Sequence, residues 1–244
     1  MSVQTLRGKH AVVTGGGRGI GLAAARALKD AGALVSIVSR NAPDTGDGFF
    51  RAAADVTDQA AVLAAFAACC DANGAVAILV NNSGIAESAP FKRTDKAMWD
   101  RIIGTNLTGT YLCTHAAIGG MLDAQWGRIV NIASIAGLFG APYIAAYTAS
   151  KHGVIGLTRA LAAELGGTGV TVNAICPGYT ESDMMRYAIE NIVKRTGMAP
   201  EAARVELAKT NPGGRIVSPD EVGAAVVALC ESGQTGQEVV LPAL

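Results

Sequence analysis

The chain has 244 residues, half of them apolar, and its twenty basic side chains are balanced by twenty acidic ones. That length suits one large α/β domain, and the even charge gives no field that would draw nucleic acid or an anionic membrane. No uncharged apolar run approaches the ~18 residues of a membrane span, and the first ten residues lack a signal-peptide core, so a cytoplasmic protein is expected.

The first strand-like run, 10–14, passes through a turn with glycines at 15, 19 and 21 into a helical pattern over 20–31. Gly15, Gly19 and Gly21 let the backbone turn sharply and approach a ligand, and the helix that follows offers unpaired N–H groups to a pyrophosphate. The second run, 34–39, ends on Ser39, with Arg40 next and no carboxylate. Residues 40–49, which include Pro43, Gly46 and Gly48, are too few for the crossover helix expected before the third run, 50–54. Asp55 and Val56 close that strand, and a helix over 59–72 leads to a fourth strand, 77–81, closed by Asn82, Ser83 and Gly84. A long helical pattern over 97–122 precedes a strand at 128–133, which ends against Ser134. The helix over 145–165 carries Tyr147 and Lys151, four residues apart and therefore on one face. A strand at 170–176 is closed by Pro177 and Gly178. The segment 179–212, with methionines, tyrosine and several charges, follows a strand end and is read as a substrate lid, an ordinary surface helix pair being the alternative. A helix over 219–230 and a strand at 238–241 complete the chain.

Continuous apolar strands, each followed by a helix, indicate a parallel sheet covered on both faces. With no repeat or linker in 1–244, the expectation is a single-domain Rossmann-type doubly wound α/β fold, and the polar and glycine residues at several strand ends outline one dinucleotide crevice. The five cysteines and three histidines show no metal-ligand spacing, so no metal site is expected. Cys69, Cys70 and Cys176 read as small apolar filler. At the chemical end, an ammonium on Lys151 beside Tyr147 is expected to lower the phenol's pKa and make it a general acid or base nearer neutrality. Ser134 is placed to offer its hydroxyl to a carbonyl oxygen.

Taken together these motifs resemble the short-chain dehydrogenase/reductase family over nearly the whole chain. Thr14 to Gly21 matches the family's glycine turn, Asn81-Asn82-Ser83-Gly84 its NNAG element with serine for alanine, and Tyr147-Thr148-Ala149-Ser150-Lys151 its YxxxK. Asn106 and Ser134 match its catalytic asparagine and serine, and Pro177-Gly178 its PG turn. The resemblance implies that Ser134 and Tyr147 hydrogen-bond the substrate oxygen, that Tyr147 moves the proton, that Lys151 binds the nicotinamide ribose, and that Asn106 holds a water in a proton relay. It implies cofactor contacts at Gly15, Arg18, Gly19, Ile20, Gly21, Ser39, Arg40, Asp55, Val56, Asn82, Ser83, Gly84, Tyr147, Lys151, Pro177, Gly178, Thr180 and Ser182, the last keeping a hydroxyl for the carboxamide. NADP(H) is favoured over NAD(H), because Arg40 stands where NAD enzymes place an acid.

The resemblance further implies a homo-oligomer, tetramer or dimer, although the Gly-Gly tail that often builds the family's tetramer is missing before Leu244. The stretches 120–134 and 147–156 look most like β-ketoacyl thioester and polyketide ketoreductases. Gln125 and Thr168 replace the basic pair of carrier-protein reductases, which directs the expectation to a coenzyme A thioester. A free small secondary alcohol, or a non-catalytic nucleotide-binding subunit, are the alternatives.

Overall fold

The computed structural model describes residues 5–41 and 46–242. Seven strands form one parallel sheet, β1 His10–Thr14, β2 Leu34–Ser39, β3 Phe50–Ala53, β4 Val76–Asn81, β5 Gly127–Ile132, β6 Val170–Pro177 and β7 Glu238–Leu241, in the order β3-β2-β1-β4-β5-β6-β7. The helices are α1 Gly19–Asp30, α2 Gln59–Asn73, α3 Lys96–Ile103, α4 Gly109–Asp123, α5 Ala145–Glu164, α6 Asp183–Thr196, α7 Pro200–Lys209 and α8 Pro219–Ser232. The chain order reverses between β1 and β4, so the crevice of this doubly wound sheet opens at the carboxyl ends of those two strands.

Alternate strand residues feed two core layers. Val13, Ile37, Val80 and Val130 pack with Leu28 of α1 and Val222, Val226 and Leu229 of α8. Val12, Val38, Leu79 and Ile129 pack on the other face with Phe66 of α2 and Cys113, Ala117 and Met121 of α4. Both faces are therefore dry, which is why β1, β5 and β6 are buried along their whole length. Each such side chain contributes about 1.5–3 kcal/mol on burial. α8 closes on α1 through Gly223, where a Cβ would stand 2.9 Å from the carbonyl oxygen of Ala23.

Two elements depart from a regular βα alternation. β3 pairs with β2 in parallel, and no described residue of 40–49 is helical. That connection is tied down by Arg26, which donates to both carboxylate oxygens of Asp47 at 3.0 and 3.1 Å, and by Lys29, which donates to the Asp47 carbonyl. Pro43 lies outside the described residues. The helix expected over 97–122 is interrupted by a π turn, Gly104–Thr108, between α3 and α4. The wider turn carries Asn106, the buried residue of this segment.

Candidate active site

β1 ends at Thr14, and the chain turns through Gly15 and Gly19, which adopt φ of 64° and 52° in the left-handed region that favours glycine. Gly21 is required for a different reason, since a Cβ there would stand 2.4 Å from both Asn82 Nδ2 and the Gly15 carbonyl oxygen. Asn82 donates from Nδ2 to the carbonyls of Thr14 and Gly15 at 3.0 and 3.1 Å, and the Thr14 hydroxyl accepts from the N–H groups of Asn82 and Ser83, both at 3.0 Å. Asn82, expected as a cofactor contact, spends its carboxamide holding the turn. No side chain caps the start of α1, so its first N–H groups face the crevice.

Farther along the crevice, Ser39 donates to the Asn41 carbonyl at 2.8 Å and Arg40 is exposed. The Asp55 carboxyl accepts from the N–H and hydroxyl of Thr57 at 2.9 and 2.8 Å, and these bonds, with help from the charge of Arg40, hold it below its ordinary pKa. Val56 backs the same wall against Gly109, where a Cβ would come within 2.7 Å of it. Arg18 reaches across the crevice to Asp183 at the start of α6, at 2.5 Å.

Ser134 follows β5, and its hydroxyl accepts from the Ala136 N–H at 3.1 Å. Tyr147 and Lys151 stand one turn apart on α5, with the Lys151 nitrogen 5.7 Å from the Tyr147 ring centre. Lys151 is buried and donates to the Ile132 carbonyl at 2.8 Å. The expected lowering of the tyrosine pKa is not what this arrangement gives. Burial pushes the Tyr147 phenol above its ordinary value, opposed by a hydrogen bond from the Ser134 hydroxyl, and burial brings Lys151 down to about 8. Desolvation wins because Lys151 is buried and Tyr147 half-buried, and the ammonium is spent on a backbone carbonyl.

Asn106 is buried, and its side chain is fully engaged. Oδ1 accepts from the Ile85 N–H at 2.8 Å, while Nδ2 donates to the Ile85 carbonyl and the Ser150 hydroxyl, both at 3.0 Å. Its backbone carbonyl accepts from the Thr110 hydroxyl at 2.8 Å. A Cβ at Gly84 would lie 3.4 Å from Asn106 Oδ1 and 3.7 Å from Lys151 Nζ, so both side chains converge on the backbone of Gly84.

At the lid end, Pro177 closes β6 and Gly178 lies against Asn211, where a Cβ would stand 2.3 Å from Oδ1. Asn211, buried, accepts from the Tyr179 N–H at 2.7 Å and donates to the carbonyls of Tyr179 and Arg215 at 2.9 and 2.7 Å. Sequence reasoning missed this clasp; an asparagine just before Pro212-Gly213-Gly214 was the only local sign of it. The Thr180 hydroxyl donates to the Gly178 carbonyl at 3.0 Å, and Ser182, expected as a carboxamide partner, caps α6 by accepting from the Met185 N–H at 3.2 Å.

A cavity of about 1580 Å³ joins these parts. It is lined by Gly15, Arg18, Gly19, Ile20 and Gly21, by Ser39, Arg40, Asp55 and Val56, by Asn82, Ser83 and Gly84, by Ser134, Tyr147 and Lys151, and by Pro177, Gly178, Thr180 and Ser182. Asn106 stands behind this surface. The rim adds residues the sequence did not single out, among them Phe139, Tyr143, Tyr187 and Arg195. Gln125 and Thr168 stand at the amino ends of β5 and β6, the opposite edge of the sheet, and do not border the cavity of one protomer. Cys176 is buried, and its thiol is pushed up to about 12, mainly by burial, as suits core packing. Among the described residues no cluster of His, Cys, Asp and Glu is arranged to hold a metal, and no helix is long and apolar enough to cross a membrane.

Residues 9–192 match the family model described as short chain dehydrogenase. A 2-(S)-hydroxypropyl-CoM dehydrogenase of Xanthobacter autotrophicus is 40% identical over 92% of this chain and 90% of its own length. An acetoacetyl-CoA reductase of Paracoccus denitrificans is 39% identical over 91% and 90%. The crystal structure of an actinorhodin polyketide ketoreductase variant with NADPH superposes with a TM-score of 0.90 at 35% identity, covering 96% of this chain and 95% of that one.

Proposed function

The chain belongs to the short-chain dehydrogenase family, an NAD(P)-dependent oxidoreductase that interconverts a ketone and a secondary alcohol, and we propose that Tyr147 is its proton donor and acceptor. The observation that carries this reading is the convergence of Ser134, Tyr147 and Lys151 on one cavity wall beside the glycine turn. The site suits a dinucleotide: Gly21 lets the turn close against Asn82 and the Gly15 carbonyl, and the start of α1 carries no side-chain cap and is open to a pyrophosphate. When bound, the reduced nicotinamide supplies the hydride.

The protein's own residues do the rest. Ser134 orients the carbonyl oxygen, and Tyr147 gives it a proton as the alcohol forms. A phenol held protonated by burial suits that donor role across neutral pH. Lys151, charged below about 8, holds the ribose hydroxyls. Asn106 fixes the π turn against Ile85 and α5, and it holds the water through which Lys151 exchanges a proton with solvent. The segment 179–212 acts as a substrate lid, hinged at the Asn211 clasp and latched by Arg18 to Asp183.

The substrate is a 3-oxoacyl or 3-hydroxyacyl thioester of coenzyme A, a reading supported by the acetoacetyl-CoA reductase relative. Gln125 and Thr168, standing where carrier-protein reductases have a basic pair, direct the reading to coenzyme A rather than a carrier protein. NADP(H) is preferred, because Arg40 offers a guanidinium to the 2′-phosphate and β2 ends without a carboxylate to repel it. Exposed Trp99 of α3 with Tyr111 and Leu122 of α4 support a homo-oligomer, tetramer or dimer, which light scattering would size. The test of the cofactor reading is kcat/KM with each cofactor in the parent and in Arg40→Ala. The parent is expected to favour NADPH, and the variant to lose about tenfold of that preference; preference for NADH in the parent reverses the assignment.

A further inference from the structure

Six cations border the cavity: Arg18, Arg40, Lys151, Arg186, Arg195 and Arg204. Asp183 is shared by Arg18 and Arg186, Glu181 pairs with Arg204, and Lys151 is held by the Ile132 carbonyl. Arg40 feels Asp55 and stands at the adenosine end. Among the described residues Arg195, at the substrate end, has no carboxylate within ion-pair distance.

Arg195 is nonetheless placed. It lies in the last turn of α6 with its guanidinium carbon 6.0 Å from the centre of the Tyr143 ring, within reach of a cation–π contact. Tyr143 has a φ of 69°, a left-handed conformation that is costly for a residue with a bulky side chain. Its carbonyl accepts from the Ala89 N–H at 2.8 Å, which fixes the loop that presents the ring. Backbone strain of this kind persists where the surroundings enforce it, and it clusters at ligand clamps. Phe139, Met184 and Tyr187 are also exposed around the same rim. The mouth is thus an apolar collar with one unspent positive charge.

We propose that Arg195, carried on the Tyr143 ring, binds an anionic group of the substrate, so that the enzyme selects ketones bearing a carboxylate or phosphate over neutral ones. The inference rests on the ketone-reduction reading above and adds the substrate's charge. The anion is either the carboxylate of a short 3-oxo acid or a phosphate of the coenzyme A thioester.

The test compares NADPH-dependent reduction of acetoacetate, acetoacetyl-CoA and ethyl acetoacetate by the parent and by Arg195→Gln. The parent is expected to favour a charged ketone, and the variant to lose about tenfold in kcat/KM on it, the worth of one charge-assisted hydrogen bond, while the neutral ester is unchanged. Loss confined to acetoacetate assigns the site to a carboxylate, and loss confined to acetoacetyl-CoA assigns it to phosphate. Equal losses on all three, no loss on any, or a parent indifferent to substrate charge overturns the proposal. If the parent reduces no ketone, the reaction reading fails by itself. Calorimetric titration of acetoacetate and of coenzyme A into parent and variant, both saturated with NADP+, then decides the anion site, and equal binding of both ligands by the two proteins overturns it.

Discussion

The wall that carries Ser134, Tyr147 and Lys151 is fixed by buried hydrogen bonds, whereas the rim built from residues 135–144 and α6 is fixed by exposed ion pairs and a ring contact. On the wall, Asn106, Ser150 and Lys151 each find a partner in the dry interior, where a lost partner costs the full desolvation of the group left behind. On the rim, Arg18, Asp183 and Arg186 remain in water, where such pairs are worth little and rearrange readily. The contrast separates the chemistry, which needs fixed atoms, from substrate entry, which needs adaptable ones.

The sharpest probe of the wall is Tyr147→Phe, which removes one hydroxyl and no packing. Turnover is expected to fall by about 10²–10⁴-fold, with NADPH affinity by fluorescence titration unchanged; near-normal turnover in a folded variant would falsify the role given to Tyr147.

Lys151→Met tests the same wall through pH. The lysine is charged below about 8 and loses its proton as pH rises through that value, so parent affinity for NADPH is expected to decline across it. The variant should bind weakly with no such limb. Because the folded pKa is depressed from 10.5, the unfolded chain keeps the proton longer, and the unliganded parent gains stability as pH rises from about 8 towards 10.5. Thermal melts of the parent lacking that rise relative to Lys151→Met would contradict the burial argument.

Gly21→Ala carries the comparison to the cofactor end. Its methyl would overlap Asn82 and the Gly15 carbonyl, so the turn must open. A destabilisation of about 1–3 kcal/mol in urea melts is expected, with weaker binding of either cofactor. Unchanged affinity would show that the turn does not shape the site.

Asp183→Asn is expected to be the mildest. Breaking its two exposed pairs, to Arg18 and Arg186, should leave Tm unchanged and shift KM for the ketone without moving kcat by more than about twofold. A large loss of kcat would mean that the rim, too, holds reacting atoms.

Much of this was legible in the residues. The strands at His10–Thr14, Leu34–Ser39 and Glu238–Leu241 stand as the apolar runs placed them, β5 shifted by one residue at both ends, and the other three moved by one residue at one end. The glycine turn and the Tyr147–Lys151 face were readable because each is settled within one or two helical turns of chain. The π turn at Gly104–Thr108 was not, since a periodic apolar pattern over 97–122 does not reveal one residue of slippage. The contacts of Asn106 with Ile85, of Gly178 with Asn211 and of Arg195 with Tyr143 each join residues far apart in sequence. The direction of the Tyr147 shift belongs with them. The spacing of a lysine and a tyrosine sets their distance, but which of charge and desolvation wins depends on how much protein closes over both, and only the assembled fold decides that.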